Sequence, residues 1–187
     1  MSLEIVSLSN CYIWLTHCIM RMPGMVNREV TVESGMLQLY ESGKSVFTFL
    51  QNQVSDTDAE LASAPVNHKL RAELLRTLCF SATYGLLLNL KLQGSRLARG
   101  NLVRRRTLYA ECNQLVSLIT DVVNKATVYR PLGALYAALG LILARPVSDD
   151  VGHIDKLLTE FQKDYQGAKL PVMAIQAEAL VRRLRES

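Results

Sequence analysis

The sequence predicts an all-α protein, a multi-helix bundle of two packed helical subdomains. Thr77 to Leu90 (TLCFSATYGLLLNL) is apolar on nearly every side, so a helix there must be surrounded by other elements. Elsewhere, apolar residues recur at helical spacing in segments bounded by capping residues, proline or glycine. At 187 residues, with 49% hydrophobic and 20% charged, the chain is long enough to bury a sizeable core. Pro and Gly are too sparse for a disordered or fibrous chain.

Leu3 to Met22 reads as a mixed first helix, with Ile5, Leu8, Tyr12, Leu15 and Ile19 at helical spacing and a stop at Pro23 and Gly24, a strand being the alternative for its middle. From Arg28 to Val54 the pattern fits two short helices, one on Met36, Leu37 and Tyr40, the other on Val46, Phe47 and Leu50. Ser55 to Asn67 is polar and contains Pro65, which marks it as an internal boundary opening with a short turn capped by Ser55 or Asp56. The expected organisation is therefore an N-terminal subdomain over 1–67, a central one over 68–166 and a C-terminal helix over 167–187.

The central helix is expected to start near His68 and to end near Leu92, with Gly94 and Gly100 bracketing a turn or broken helix. Asn101 is the N-cap for a long helix to about Thr127, with Leu108, Leu115, Leu118 and Val122 as its buried stripe. Pro131 suits the first position of the next helix, on which Gly133, Ala137, Gly140 and Ala144 share a face that another helix can approach closely. Ser148 is read as the cap of a further helix that puts Asp149 and Asp150 at its positive end and Val151, Ile154, Leu157, Leu158, Phe161 and Tyr165 inward, with Gly167 as its stop. In the last segment, Pro171 to Arg185, Val172, Ile175, Ala179, Val181 and Leu184 face a partner, and Arg182, Arg183 and Arg185 face solvent.

Charge is unevenly distributed. The net charge is only +4, yet no Asp or Glu occurs between Glu73 and Glu111, where Lys91, Arg96, Arg99, Arg104, Arg105 and Arg106 fall. Such a one-sided arrangement favours phosphate or anionic lipid as a partner. The arginine triplet cannot share one helix face, because neighbours lie about 100° apart, and it sits at a helix start where the backbone dipole favours a bound anion. These six residues are the candidate phosphate-binding set for RNA or lipid headgroups; the bland alternative is a solvated basic face.

Other chemistry finds little support. There is no nucleophile elbow, P-loop, dinucleotide fingerprint or zinc-protease spacing, and no carboxylate pair in an apolar context, so catalytic residues and cofactors are assigned to none. Cys11, His17 and Cys18 do not converge on a metal, because His17 and Cys18 are adjacent and a fourth ligand is not in sight. Cys11, Cys18, Cys79 and Cys112 lie among apolar neighbours without CxxC spacing, as reduced, buried thiols of a cytosolic or nuclear protein do. The apolar stretches are too short or too interrupted to span a bilayer.

Three segments resemble the matrix proteins of the influenza-like viruses, the orthomyxoviruses. Asn101 to Asn113 (NLVRRRTLYAECN) looks like the family's basic helix with its arginine triplet, and Gly133 to Arg145 (GALYAALGLILAR) is similar to a family helix. Val147 to Gln166 is similar in length and acid-first character to the helix that closes the family's amino-terminal domain. The spacing between the first two segments is shorter than the family's, and its second basic run has no counterpart. The resemblance implies a structural protein that self-associates beneath a viral envelope and bridges anionic inner-leaflet lipid and viral ribonucleoprotein. It carries over only Arg104, Arg105 and Arg106. It also implies a place in the virion and, before assembly, in host cytoplasm or nucleus and at the inner face of the plasma membrane. His17, His68 and His153 are the groups available for pH-dependent disassembly. A helical adaptor, receiving a protein on the small-residue face or the last helix, is the competing expectation.

Overall fold

A computed structural model describes residues 8–26, 33–60, 68–130, 135–164 and 170–186. These form eight α-helices and no strand: α1 (Leu8–Val26), α2 (Glu33–Glu60), α3 (His68–Gly94), α4 (Arg96–Arg99), α5 (Leu102–Ala126), α6 (Leu135–Ala144), α7 (Val151–Asp164) and α8 (Leu170–Glu186), with 3-10 turns at Thr127–Tyr129 and Arg145–Val147. The all-α expectation holds for the described residues.

Helix α3 is the axis of the molecule. From Leu74 onward almost every residue is buried, including Leu78, Ala82, Leu86, Leu88, Leu90 and Leu92, because α1, α2, α5, α6 and α8 all pack around it. The buried side chains of the surrounding helices join it in one continuous apolar core. Neighbouring helices α2 and α5 run antiparallel to it. Asp58 of α2 pairs with Arg71 near the start of α3, while Glu33 of α2 accepts a hydrogen bond from the Arg96 backbone N–H just beyond its end. Asn89 of α3 donates to the Leu108 carbonyl of α5 at 3.0 Å.

Close approaches are made at glycines. A Cβ on Gly43 would lie 2.5 Å from the Trp14 ring, and one on Gly85 would lie 2.4 Å from the Phe47 ring. Gly140 brings α6 against Cys79 and Thr83 of α3 and Ile119 of α5, with Ala137 and Ala144 fully buried on the same helix, as the small-residue face anticipates. Gly133 and Pro131 of that reading lie outside the described residues.

Several readings need correction. Helix α1 continues through Pro23 and Gly24 to Val26; a proline within the last turn forfeits one backbone bond without ending the helix at once. Its inward residues are Cys11, Trp14, Leu15 and Cys18, whereas Tyr12 and Ile19 are exposed. The helix is apolar on both faces, and Trp14 decides the phase: its ring fits over Gly43 and its indole N–H donates to the Leu39 carbonyl at 2.8 Å. Ile5 lies outside the described residues.

The two short helices expected over 28–54 are one helix, α2, which also absorbs Ser55 to Glu60, so no turn is capped at Ser55 or Asp56. Gly43 serves packing there, and the polar end is held by ion pairs from Asp58 to Arg71 and Lys125. The cap of α7 is Asp150, whose Oδ1 accepts from the His153 N–H at 3.0 Å, while Ser148 accepts from the Asp150 N–H. Ile154, Leu157, Leu158 and Phe161 face inward, but Val151, in the first turn, is exposed. Tyr165 and Gly167 lie outside the described residues. On α5, Ile119 is fully buried where Leu118 is only partly so. Helix α8 docks through Ala177, Val181 and Leu184, and Ala179 is exposed.

Candidate functional site

The end of the bundle where α3 stops, α4 turns and α5 begins is built by short-range bonds. Ser95 Oγ donates to the Leu92 carbonyl at 2.7 Å and accepts from the Ala98 N–H, which caps the single turn of α4. The Gly100 N–H closes that turn onto the Arg96 carbonyl, and the Asn101 N–H bonds to the Ala98 carbonyl. Asn101, in extended conformation, then caps α5 by accepting the Arg104 N–H on Oδ1 at 3.0 Å. Ala98 is fully buried and pins α4 to the helices beneath it.

This corner collects the six predicted cations. Lys91 occupies the last turn of α3, Arg96 and Arg99 the turn of α4, and Arg104, Arg105 and Arg106 the start of α5. Arg96, Arg99, Arg105 and Arg106 are exposed; Lys91 and Arg104 are half-buried. Among the described residues, no carboxylate forms an ion pair with the guanidinium of Arg96, Arg104, Arg105 or Arg106. Four arginines elsewhere behave differently. Arg71 pairs with Asp58, Arg76 with Glu73, Arg130 with Asp164, and Arg145 with Asp155 and Glu178. The nearby acid, Glu33, is bonded to the Arg96 backbone N–H at 3.1 Å.

Three features escaped the sequence reading. The end of α8 reaches the same corner: a Cβ on Gly94 would lie 2.5 Å from the Leu184 carbonyl oxygen. Arg185 thereby comes to the Tyr109 ring of α5, where its guanidinium and that of Arg105 each lie 5.8 Å from the ring centroid. That distance is within the range of cation–π attraction. Leu102 and Val103, the first two residues of α5, are 72% and 76% exposed in the midst of these cations. Only tertiary packing brings α8 here, but the exposure of Leu102 and Val103 follows from helix phase. They precede the buried Leu108 by six and five residues, which places them about 120° and 140° off its stripe.

Cys11, Cys18, Cys79 and Cys112 are free and buried, and burial pushes the Cys11 thiol up to about 11 and the Cys79 thiol up to about 12. His17 is exposed while its neighbours Cys11 and Cys18 are buried, and no cluster of metal-ligating side chains occurs among the described residues. His68 and His153 are also exposed.

A groove between α2 and α5 holds Tyr40, Lys44 and Glu111, with Lys44 Nζ 2.6 Å from Glu111 and the Tyr40 hydroxyl donating to it at 3.1 Å. Burial works to lower the Lys44 ammonium, but hydrogen bonds to Glu111 and Glu41 outweigh it and hold it above its ordinary value. Burial drives the Tyr40 phenol upward as well. The trio is an ion pair beside a phenol, an arrangement that braces two helices.

No helix among the described residues is long and apolar enough to cross a membrane. No family model, curated protein or solved structure matches the chain.

Proposed function

We propose that the chain is a matrix-type structural protein that binds anionic membrane lipid and RNA or ribonucleoprotein without sequence preference through the cationic end of its bundle, and that it self-associates. The observation that carries this reading is the division of the arginines. Among the described residues Arg96, Arg104, Arg105 and Arg106 at the α3–α4–α5 corner form no ion pair with a carboxylate, while Arg71, Arg76, Arg130 and Arg145 on the rest of the bundle are ion-paired. Such a division leaves a fixed positive field that attracts phosphates and that salt weakens. The likeness of Asn101 to Asn113 and of Gly133 to Arg145 to orthomyxovirus matrix helices agrees with it. On that reading the protein is non-enzymatic and works beneath a viral envelope, after passage through host cytoplasm or nucleus to the inner face of the plasma membrane.

An adaptor role is the second reading. The surfaces first considered for it are used internally: Ala137, Gly140 and Ala144 are buried against α3 and α5, and α8 is docked on the bundle. The outer side of α1, with Ile13 and Met20 exposed, is where a protein partner would sit instead.

Flotation with phosphatidylserine vesicles separates the readings. Each Lys or Arg near an anionic surface contributes about 1 kcal/mol, so replacing Arg104, Arg105 and Arg106 by alanine weakens binding roughly a hundredfold at moderate salt. Undiminished flotation of the triple variant sinks the matrix reading. Light scattering at neutral and mildly acidic pH tests self-association, for which a strict monomer in both is the adverse result.

A further inference from the structure

Leu102 and Val103 have no part in the core, yet they are large apolar residues at the most cationic point of the chain. We propose that this pair is a membrane wedge: both side chains enter the acyl-chain boundary of an anionic leaflet while the surrounding arginines hold its headgroup phosphates. The inference rests on the matrix reading above and narrows it, making lipid the ligand of this corner in preference to RNA.

Four observations support it. First, the two side chains are 72% and 76% exposed and adjacent, so both can leave water together if the corner meets an apolar medium. Second, they are ringed by cations. Arg99, at the end of α4, lies three residues before Leu102, Arg104, Arg105 and Arg106 follow directly, and their long side chains can keep charge at headgroup level while the helix tip sinks. Third, Tyr109 lies seven residues after Leu102 on the same side of α5, is 40% exposed and carries Arg105 and Arg185 against its ring. An amphipathic ring flanked by cations suits the membrane–water interface. Fourth, the tip is already ordered, because Asn101 caps it and buried Ala98 pins the preceding turn, so little further ordering accompanies insertion.

RNA matches the same cations less completely. Phosphates give no home to Leu and Val, and single-stranded bases stack on aromatic rings and arginine in preference to aliphatic side chains.

The test uses the full chain with vesicles of phosphatidylcholine and phosphatidylserine, some carrying brominated acyl chains. Leu102→Trp adds a second indole to a protein whose single tryptophan, Trp14, is buried. Blue-shifted emission and bromolipid quenching, present in the variant and absent from the wild type, are expected. In a second arm, Leu102→Ser with Val103→Ser weakens vesicle binding on the order of tenfold to a hundredfold. The same double variant leaves thermal melting and binding to single-stranded polyuridine unchanged. If Leu102→Trp floats with vesicles but shows neither shift nor quenching, the wedge is wrong and the matrix reading stands. An equal loss of polyuridine binding in the double serine variant also overturns the wedge, by assigning the pair to an RNA surface. A wild type that fails to float with anionic vesicles overturns both.

Discussion

Asn89 shows how much one polar side chain can hold. It is fully buried in α3, donates to the Tyr40 hydroxyl at 2.9 Å and to the Leu108 carbonyl at 3.0 Å, and accepts from Gln93 Nε2 at 2.7 Å. One residue thereby fixes the register of α2, α3 and α5. Asn89→Ala leaves the Gln93 amide and the Leu108 carbonyl short of a partner inside the core, so urea denaturation is expected to show a loss of about 1–3 kcal/mol. The sequence places Asn89 in an apolar helix but says nothing of its role, because Tyr40 is 49 residues away along the chain. The arginine triplet is the opposite case. Its exposure can be read from charge alone, since three guanidinium groups on consecutive residues cannot all be buried.

Among the helices, α3, α4 and α5 are the most legible. The start at His68, the break between Gly94 and Gly100, and the cap at Asn101 each depend on residues within a few positions of the event. Helix α2 is misread because a packing glycine and a punctuating glycine look alike in sequence: Gly43 is present to admit Trp14, which lies 29 residues earlier by position. Its polar tail stays helical through ion pairs to α3 and α5 that no local pattern announces. Gly94 marks a junction of the same kind. A methyl group there meets the Leu184 and Arg185 carbonyl oxygens at 2.5 and 2.8 Å, and backbone yields less readily than a side chain. Gly94→Ala should therefore lift the end of α8, destabilise the fold by about 1–3 kcal/mol, and speed tryptic cleavage at Arg182 and Arg183. Unchanged melting and cleavage would show that α8 does not need this contact.

Over the molecule as a whole, acid meets base along the bundle, in pairs such as Asp58 with Arg71, Asp164 with Arg130 and Asp155 with Arg145. Carboxylates tie helices together along the bundle, and the cationic corner is left to face outward. The ties are vulnerable to acid. Glu73 of α3 accepts from the Tyr12 hydroxyl of α1 at 2.7 Å and pairs with Arg76 at 2.6 Å, and these bonds lower its pKa from the ordinary 4.5. A carboxylate depressed by folding stabilises the protein above its ordinary pKa, and that contribution is lost as pH falls through the folded value. Thermal melts from about pH 6 down to pH 3 should show α1 loosening at the acid end, and Glu73→Gln should flatten that slope. A wild-type slope unchanged by the substitution would remove Glu73 from the acid response.

The placement of the cationic corner at one tip of the bundle, and not along its flank, would set the attitude of the molecule on the anionic surface proposed for it. Helix α5 starts in that corner and runs 25 residues away from it, a length of about 37 Å. On the proposed membrane reading, a molecule held by this tip would stand on end, and neighbours held the same way would meet side by side along their helices. A coat assembled from them would have a thickness set by helix length, with the outer faces of the bundle turned toward the next molecule.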